Sequence, residues 1–431
     1  MDRTYVLLHG DVRMKDSSFE RFDMKKPPVR TKWYLRPLTY ILSAPDVAKH
    51  KCVIKKVNVE GLKPPFVMLC NHNAFMDFKV ATKTIFPWRA NYVVAIDGFI
   101  GREKLLRDVG CICKRKFTND TTLVRQLIQT IKNGDVAIIY PEARYSLCGT
   151  TAVLPESLGK LCKLLGVPVV TLICHGHHVN SPFWNLHDRG VKPTEAEFTQ
   201  IFDEETLKSA SVDEVNKKIL EMFRYDDFAW QKERGIRITY PGRAEGLHKV
   251  LYQCPACKTE FRMSSKGTVL RCDACGKEWN MTELSELEAV SGETEFSHIP
   301  DWYEWERANV RKEVEAGTYS SGELPVRVDS LPNAKKYIPI GTGTMIHDMN
   351  GFRVKVKDDD SDEHEMVKTV PSMYSCHIEY EYLGKYGDCI DLNTLTDTWY
   401  TYPDPEKCEF AVTKMALATE ELYFADKRSR E

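Results

Sequence analysis

Long apolar runs are missing from this sequence: no segment of its 431 residues approaches the roughly 18 consecutive apolar positions that a membrane-spanning helix requires. The stretch Met1 to Asp11 holds too short an apolar run for a secretory signal, which points to a reducing, cytosolic setting. Basic residues do not alternate with an aromatic stacking motif, so nucleic acid is not an expected partner. The acidic run Asp358-Asp359-Asp360-Ser361-Asp362-Glu363 lacks the spacing of an EF-hand loop and reads as an exposed hairpin turn. At 42% hydrophobic residues the composition excludes a fibre or a disordered tail, and the length allows two to three domains.

What is present is thiol-rich and unevenly charged. With no secretory signal, fourteen cysteines argue for free thiols and metal ligation over a disulfide framework. Four of them form Cys254-Pro255-Ala256-Cys257 and Cys272-Asp273-Ala274-Cys275, two C-x2-C pairs at zinc-ribbon spacing. Four thiolates fill a tetrahedral shell and leave no open position for catalysis, so the expected cofactor is one structural Zn2+. Tyr252, Phe261 and Trp279 are the apolar residues available to the ribbon. The net charge of −2 conceals 29 Lys and Arg against 16 Asp and Glu in residues 1–190, and 31 against 46 in the remainder. A basic half suits anionic lipid headgroups and the phosphates of an acyl carrier; an unevenly charged solvated surface is the simpler alternative.

The chain is organised around Leu69-Cys70-Asn71-His72-Asn73-Ala74-Phe75-Met76-Asp77-Phe78. Pro65 to Cys70 is an unbroken apolar run that reads as a buried strand of a largely parallel sheet. His72 then lies at the carboxyl end of that strand, where open α/β sheets place their ligands. With Asn73 as the N-cap of a helix from Ala74, Asp77 in the first turn can fold back to the imidazole. A carboxylate there fixes the tautomer and stabilises the imidazolium when His72 takes a proton from a hydroxyl. This is the base half of a Ser-His-Asp triad, with the substrate's hydroxyl as nucleophile. Alternatively, His72 is a surface residue and Asp77 a helix N-terminal charge.

Three further segments join Asn71-His72-x4-Asp77: Gly110-Cys111-Ile112-Cys113-Lys114-Arg115-Lys116, then Val136-Ala137-Ile138-Ile139-Tyr140-Pro141-Glu142-Ala143-Arg144-Tyr145-Ser146, then Gly166-Val167-Pro168-Val169-Val170-Thr171-Leu172. In kind and order they resemble the four signature blocks of the glycerolipid acyltransferases, the family that includes 1-acylglycerol-3-phosphate acyltransferase. The resemblance covers about Lys32 to Val179. It implies transfer of an acyl group from acyl-CoA or acyl carrier protein to the hydroxyl of lysophosphatidate or a related lysophospholipid. His72 is then the base, Asp77 its partner, and Glu142, Arg144 and Arg115 or Lys116 the contacts to the acceptor's phosphate or glycerol. The third block departs from the family pattern: Ala143 replaces its glycine, Arg144 follows Glu142 by two positions instead of three, and Tyr145 stands in the usual arginine slot. That departure favours a rival reading, a lipid-binding or scaffolding protein that keeps the fold without the reaction.

The expected architecture is an α/β acyltransferase core, a mixed sheet flanked by helices, followed by a small zinc ribbon and a β-rich C-terminal domain. Residues 1–31 read as a loose leader, 32–245 as the acyltransferase domain, 246–283 as the ribbon, 284–322 as a helical connector and 323–431 as the β-rich domain with a terminal helix. The mixture of aromatic, basic and aliphatic residues from Lys32 to Leu42 suits a membrane interface, although packing on the core is the commoner use of a short amphipathic stretch. Helices are expected over Thr118 to Asn133, over Pro155 to Leu165, and from the Ser211-to-Glu214 capping box to Gly235, with Asp226, Asp227 and Glu233 on a solvated face. His175, His177 and His178 are poorly spaced for a metal site and are candidates instead to line the acyl or headgroup pocket. Strands followed by a helix from Glu409 to Ala425 bring a pleckstrin-homology-like barrel to mind. Peripheral attachment at the inner face of a membrane completes the expectation.

Overall fold

The computed structural model describes residues 12–13 and 20–430. Its seven-stranded sheet runs, edge to edge, Val53–Val57, Glu195–Phe202, Val169–His175, Val67–Cys70, Val136–Ile139, Ala90–Ala95, Cys111–Lys114. Val67–Cys70 is the middle strand and is buried at all four positions, as its apolar run requires. Alternate residues feed opposite cores. Phe66, Met68 and Cys70 meet helices Leu35–Lys49 and Met76–Ile85 on one side. Val67 and Leu69 meet Thr121–Lys132, Leu158–Leu165 and Val212–Met222 on the other. Glu195–Phe202 pairs antiparallel with Val169–His175 and parallel with Val53–Val57, which makes the sheet mixed.

Local signals account for several helix ends. Asp120 caps Thr121–Lys132 through the amides of Thr122 and Leu123, and Ser211 and Glu214 form the expected capping box. The long helix expected to reach Gly235 instead stops at Met222. Asp226 then caps a second helix, Asp227–Glu233, by accepting from Phe228 N and Ala229 N. Asp227 is fully buried, so it does not belong to a solvated acidic face.

Residues 20–31 also depart from the loose leader. Arg30 makes a two-pronged contact with Asp135, Gln126 donates to the carbonyls of Met24 and Lys26, and Thr31 Oγ1 bonds Ala90 O and Val109 O. Lys32 to Leu42 packs on the core through Leu35 alone. In the Leu35–Lys49 helix only Leu35, Ser43 and Val47 are buried, while Trp33 (74%), Ile41 (61%) and Leu42 (66%) face solvent.

Beyond the sheet, strands Met263–Lys266, Val269–Cys272, Glu278–Met281 and Leu287–Ala289 form the small antiparallel sheet carrying the C-x2-C pairs. It docks on helix Ile299–Glu315, where Trp279 stacks edge-on against Trp302 and Trp302 Nε1 donates to Gln253 O. Residues 324–403 fold with Val12–Arg13 into an eight-stranded antiparallel sheet whose edges are Val12–Arg13 and His377–Glu379. The acidic run 358–362 is a hairpin turn between Gly351–Lys357 and Glu363–Thr369. Helix Val412–Arg430 is buried along its first half and joins the connector, the cysteine-pair module and the α/β core. Lys414 pairs with Glu260 of the ribbon and Glu313 of the connector, while Glu420 pairs with Arg307 of the connector and Arg144 of the α/β core.

Candidate functional site

Three adjacent central strands, Val169–His175, Val67–Cys70 and Val136–Ile139, end on the same edge of the sheet, and the turns that follow them meet there. Asn71 ties two of these ends together: its Nδ2 donates to Cys174 O, and its Oδ1 accepts from Cys174 N. His72 follows, with its side chain 24% exposed. Its amide donates to Glu142 Oε1 at 3.1 Å and its carbonyl accepts from Ser146 N at 2.9 Å, so the turn after Val136–Ile139 holds the histidine loop at both backbone groups.

Helix Met76–Ile85 begins two residues later than the sequence reading places it, and Phe75 at its N-cap makes no side-chain bond. Asp77 takes over the capping job from within the first turn: its Oδ2 accepts from Asn73 N at 2.5 Å and Ala74 N at 2.9 Å. The same oxygen lies 3.5 Å from His72 Nδ1, longer than a strong hydrogen bond. Asp77 Oδ1 meets His177 Nδ1 at 2.5 Å. Burial would raise the carboxyl's pKa, but His177 and then His72 hold it well below the usual carboxylate range. His177, whose spacing argued only against a metal, is therefore part of this constellation. The glycine before it at the end of an apolar strand was the one signal of a sharp turn there.

The four residues expected to hold the acceptor are placed differently from one another. Glu142 is fully buried beneath the histidine loop, accepting from His72 N, Ala152 N and Tyr225 Oη. Burial, against those hydrogen bonds, pushes its pKa up to about 8. Ala143, where the family pattern has glycine, sits at φ 56°, a left-handed turn that costs a non-glycine residue about 1 kcal/mol. That turn sends Arg144 away from His72 and into a 2.7 Å ion pair with Glu420. Tyr145 fills the vacated place, its ring centroid 4.4 Å from that of His72, with Tyr140 at 4.5 Å on the same imidazole. Arg115 is buried and donates to Leu331 O, Pro332 O, Thr396 O and Thr398 Oγ1, all in the C-terminal region. Lys116 lies 3.9 Å from Asp97 and 3.7 Å from Asp391. The structure thus brings His72, Asp77 and Glu142 together, and commits both arginines to partners within the protein.

Away from this site, the sulfurs of Cys254, Cys257, Cys272 and Cys275 lie within 4.8 Å of one another, with Cys254–Cys275 at 3.8 Å and Cys257–Cys272 at 3.7 Å. Thiolates on a tetrahedral zinc at its usual bond length sit about 3.8 Å apart, so the residues present fit such an ion. The four cysteines could hold a metal such as zinc.

No family model and no curated protein matches the sequence. Among solved structures, the chain is similar to the 1-acyl-sn-glycerophosphate (LPA) acyltransferase PlsC from Thermotoga maritima. The identity is 15% and the TM-score 0.37, over 47% of this chain and 80% of that one.

Proposed function

We propose that the protein transfers an acyl group from a thioester, acyl-CoA or acyl carrier protein, to the hydroxyl of lysophosphatidate or a related lysophospholipid. The observation that carries this reading is a partly exposed imidazole backed by a buried carboxylate at the carboxyl end of the central strand. His72 takes the hydroxyl proton at the nitrogen that faces away from Asp77. The oxygen attacks the thioester carbonyl, and the same proton leaves on the thiolate sulfur, so the imidazole is regenerated. Asp77 stabilises the imidazolium in between and does not itself take the proton. Glu142 acts through the backbone, holding the His72 loop. An assay of labelled acyl-thioester transfer to a panel of lysophospholipids tests the reading; no transfer to any acceptor discards it.

One specific observation favours the scaffold reading, namely the engagement of Arg115 and Arg144 by the C-terminal region. A lipid binder with no reaction would bind lysophospholipid in that panel and leave the thioester intact.

A membrane surface is the proposed site of action, at its cytosolic face. Supporting this, Phe75 (62% exposed) and Phe86 (42%) project from helix Met76–Ile85 and its end, beside the exposed residues of the Leu35–Lys49 helix, and Phe75 is three residues from His72. No helix among the described residues is long and apolar enough to cross a membrane. The protein should sediment with vesicles containing anionic lipid, less with neutral ones, and salt should weaken attachment by screening the basic half. Replacing Trp33, Ile41 and Leu42 together with glutamate should release it. Sedimentation indifferent to both lipid charge and this triple change rules the surface out.

The cysteine cluster is proposed to hold one structural zinc. Elemental analysis of protein prepared without chelators should find one zinc per chain. Cys257→Ser should lose it and loosen the ribbon, because so small a module derives much of its folding free energy from the metal. Since Trp279 packs on Trp302, helix Ile299–Glu315 should loosen too, with the seven-stranded sheet retained. Hydrogen exchange maps that extent, and zinc retained in full by the variant refutes the site.

A further inference from the structure

We infer that His177 is a positioning residue for the His72–Asp77 pair, clamping the carboxylate from the side opposite the base. The inference rests on the role proposed for His72, and its test separates the two.

Asp77 is fully buried, so each of its oxygens needs a partner within the protein. Oδ2 has the two backbone amides of Asn73 and Ala74 and faces His72. Oδ1 has His177 Nδ1, at 2.5 Å against the 3.5 Å that separates Oδ2 from His72. The carboxylate is therefore held more tightly by His177 than by the imidazole it serves. His177 is itself 2% exposed, so solvent cannot take over its donation.

The turn that presents His177 is built for that position. Gly176 has φ 87°, and a Cβ there would stand 2.7 Å from the Trp230 ring. The amides of Gly176 and His178 donate to the two oxygens of Asp227 at 3.0 and 2.8 Å. Helix Asp227–Glu233 thus fixes the turn through Asp227 and Trp230, the turn fixes His177, and His177 fixes Asp77. The direction of the Asp77 pKa shift agrees: burial opposes ionisation, and among the groups that restore it His177 stands ahead of His72.

The consequence is chemical. With Nδ1–H of His177 on Oδ1, Asp77 stays ionised with Oδ2 aimed at His72, which keeps the proton of neutral His72 on Nδ1 and leaves Nε2 free as the base. Without that donor, a buried carboxylate with an unsatisfied oxygen turns or takes a proton, and the tautomer of His72 is no longer set. Cys174 lies close enough for Asp77, Cys174 and His177 to be considered as metal ligands, their donor atoms falling within 4.8 Å. The 2.5 Å contact speaks against an ion bridging Asp77 and His177, because an oxygen and a nitrogen sharing one tetrahedral zinc stand about 3.3 Å apart.

The test uses the full-length protein with 15N-labelled histidine. His177→Asn keeps an N–H near the Nδ1 position, His177→Gln moves it towards Nε2, and His177→Leu removes it. Wild type and the asparagine variant should show neutral His72 as one tautomer protonated at Nδ1, whereas the leucine and glutamine variants should show a mixture. Acyl transfer should fall at least about ten-fold in the leucine and glutamine variants and recover most of that loss with asparagine. An unchanged His72 spectrum in the leucine variant overturns the inference, as does an asparagine variant as impaired as glutamine. A second zinc per chain that disappears with His177→Leu overturns it in favour of a metal. Should the leucine variant not fold, the asparagine and glutamine pair decides. If wild type transfers no acyl group, the functional reading fails while the spectra still decide the role of His177.

Discussion

Replacing His72 with alanine should lower acyl transfer by about 10²- to 10⁴-fold, the usual loss when a general base is removed. Folding should survive, because the contacts that fix this position are made by the His72 amide and carbonyl, which alanine keeps. Steady-state turnover beside circular dichroism and a urea melt checks both halves. Wild-type turnover in a folded variant sinks the mechanism. Asp77→Asn should behave differently. The carboxylate accepts from Asn73 N, Ala74 N and His177, and an amide must present its NH2 to one of those donors. That variant should lose stability as well as activity, and Tm will separate it from His72→Ala.

Glu420→Ala should destabilise the protein by about 3–5 kcal/mol, the cost of stranding buried charge. Glu420 is fully buried between Arg144 at 2.7 Å and Arg307 at 2.6 Å, and it also accepts from Ser375 Oγ at 2.7 Å. Arg144→Ala should cost less, because Glu420 keeps Arg307. The order of the two denaturation midpoints is the measurement, and equal values would show that the pair acts without the second arginine. Burial alone would raise the Glu420 pKa, and Arg144 and then Arg307 bring it below its ordinary 4.5. The carboxylate's contribution is therefore fully present above about pH 4.5 and is lost as pH falls through the depressed value. If Arg144 instead met the acceptor's phosphate, Arg144→Ala would raise the acceptor's half-saturating concentration with no loss of stability.

The alternation of strands and helices, the buried central strand and the C-x2-C pairs were legible because each rests on a local pattern of apolar spacing, capping or ligand separation. His72 and Asp77 were legible as a pair for the same reason, being five residues apart, although the cap that joins them is Asp77 on the loop amides and not Asn73 on the helix. Arg115 and Arg144 were not. Their hydrogen-bond partners lie more than 200 residues away, and nothing local to either block says that a distant helix and strand will claim them. Asp227 was misjudged for the same reason, having the composition of a solvated helix but being buried by tertiary contacts, and the contact of His177 with Asp77 joins residues 100 apart. Ala143 shows the limit from the other side. The sequence departure was visible, but its effect, a left-handed residue after which Arg144 is buried against Glu420 and the Tyr145 ring lies beside His72, required the backbone.

The ion pair between Arg144 and Glu420 joins residues 276 apart in the chain. At usual rates of translation, roughly 5–20 residues per second, Glu420 leaves the peptidyl-transferase centre some tens of seconds after Arg144. Through that interval the Arg144 guanidinium, buried in the finished protein, lacks its carboxylate partner. The contact of Arg144 with Glu420 is therefore among the last the molecule can make, although the arginine is encoded in the first half of the chain. A ribosome stalled before residue 412 would hold a chain with every proposed catalytic residue already made and Arg144 still without Glu420.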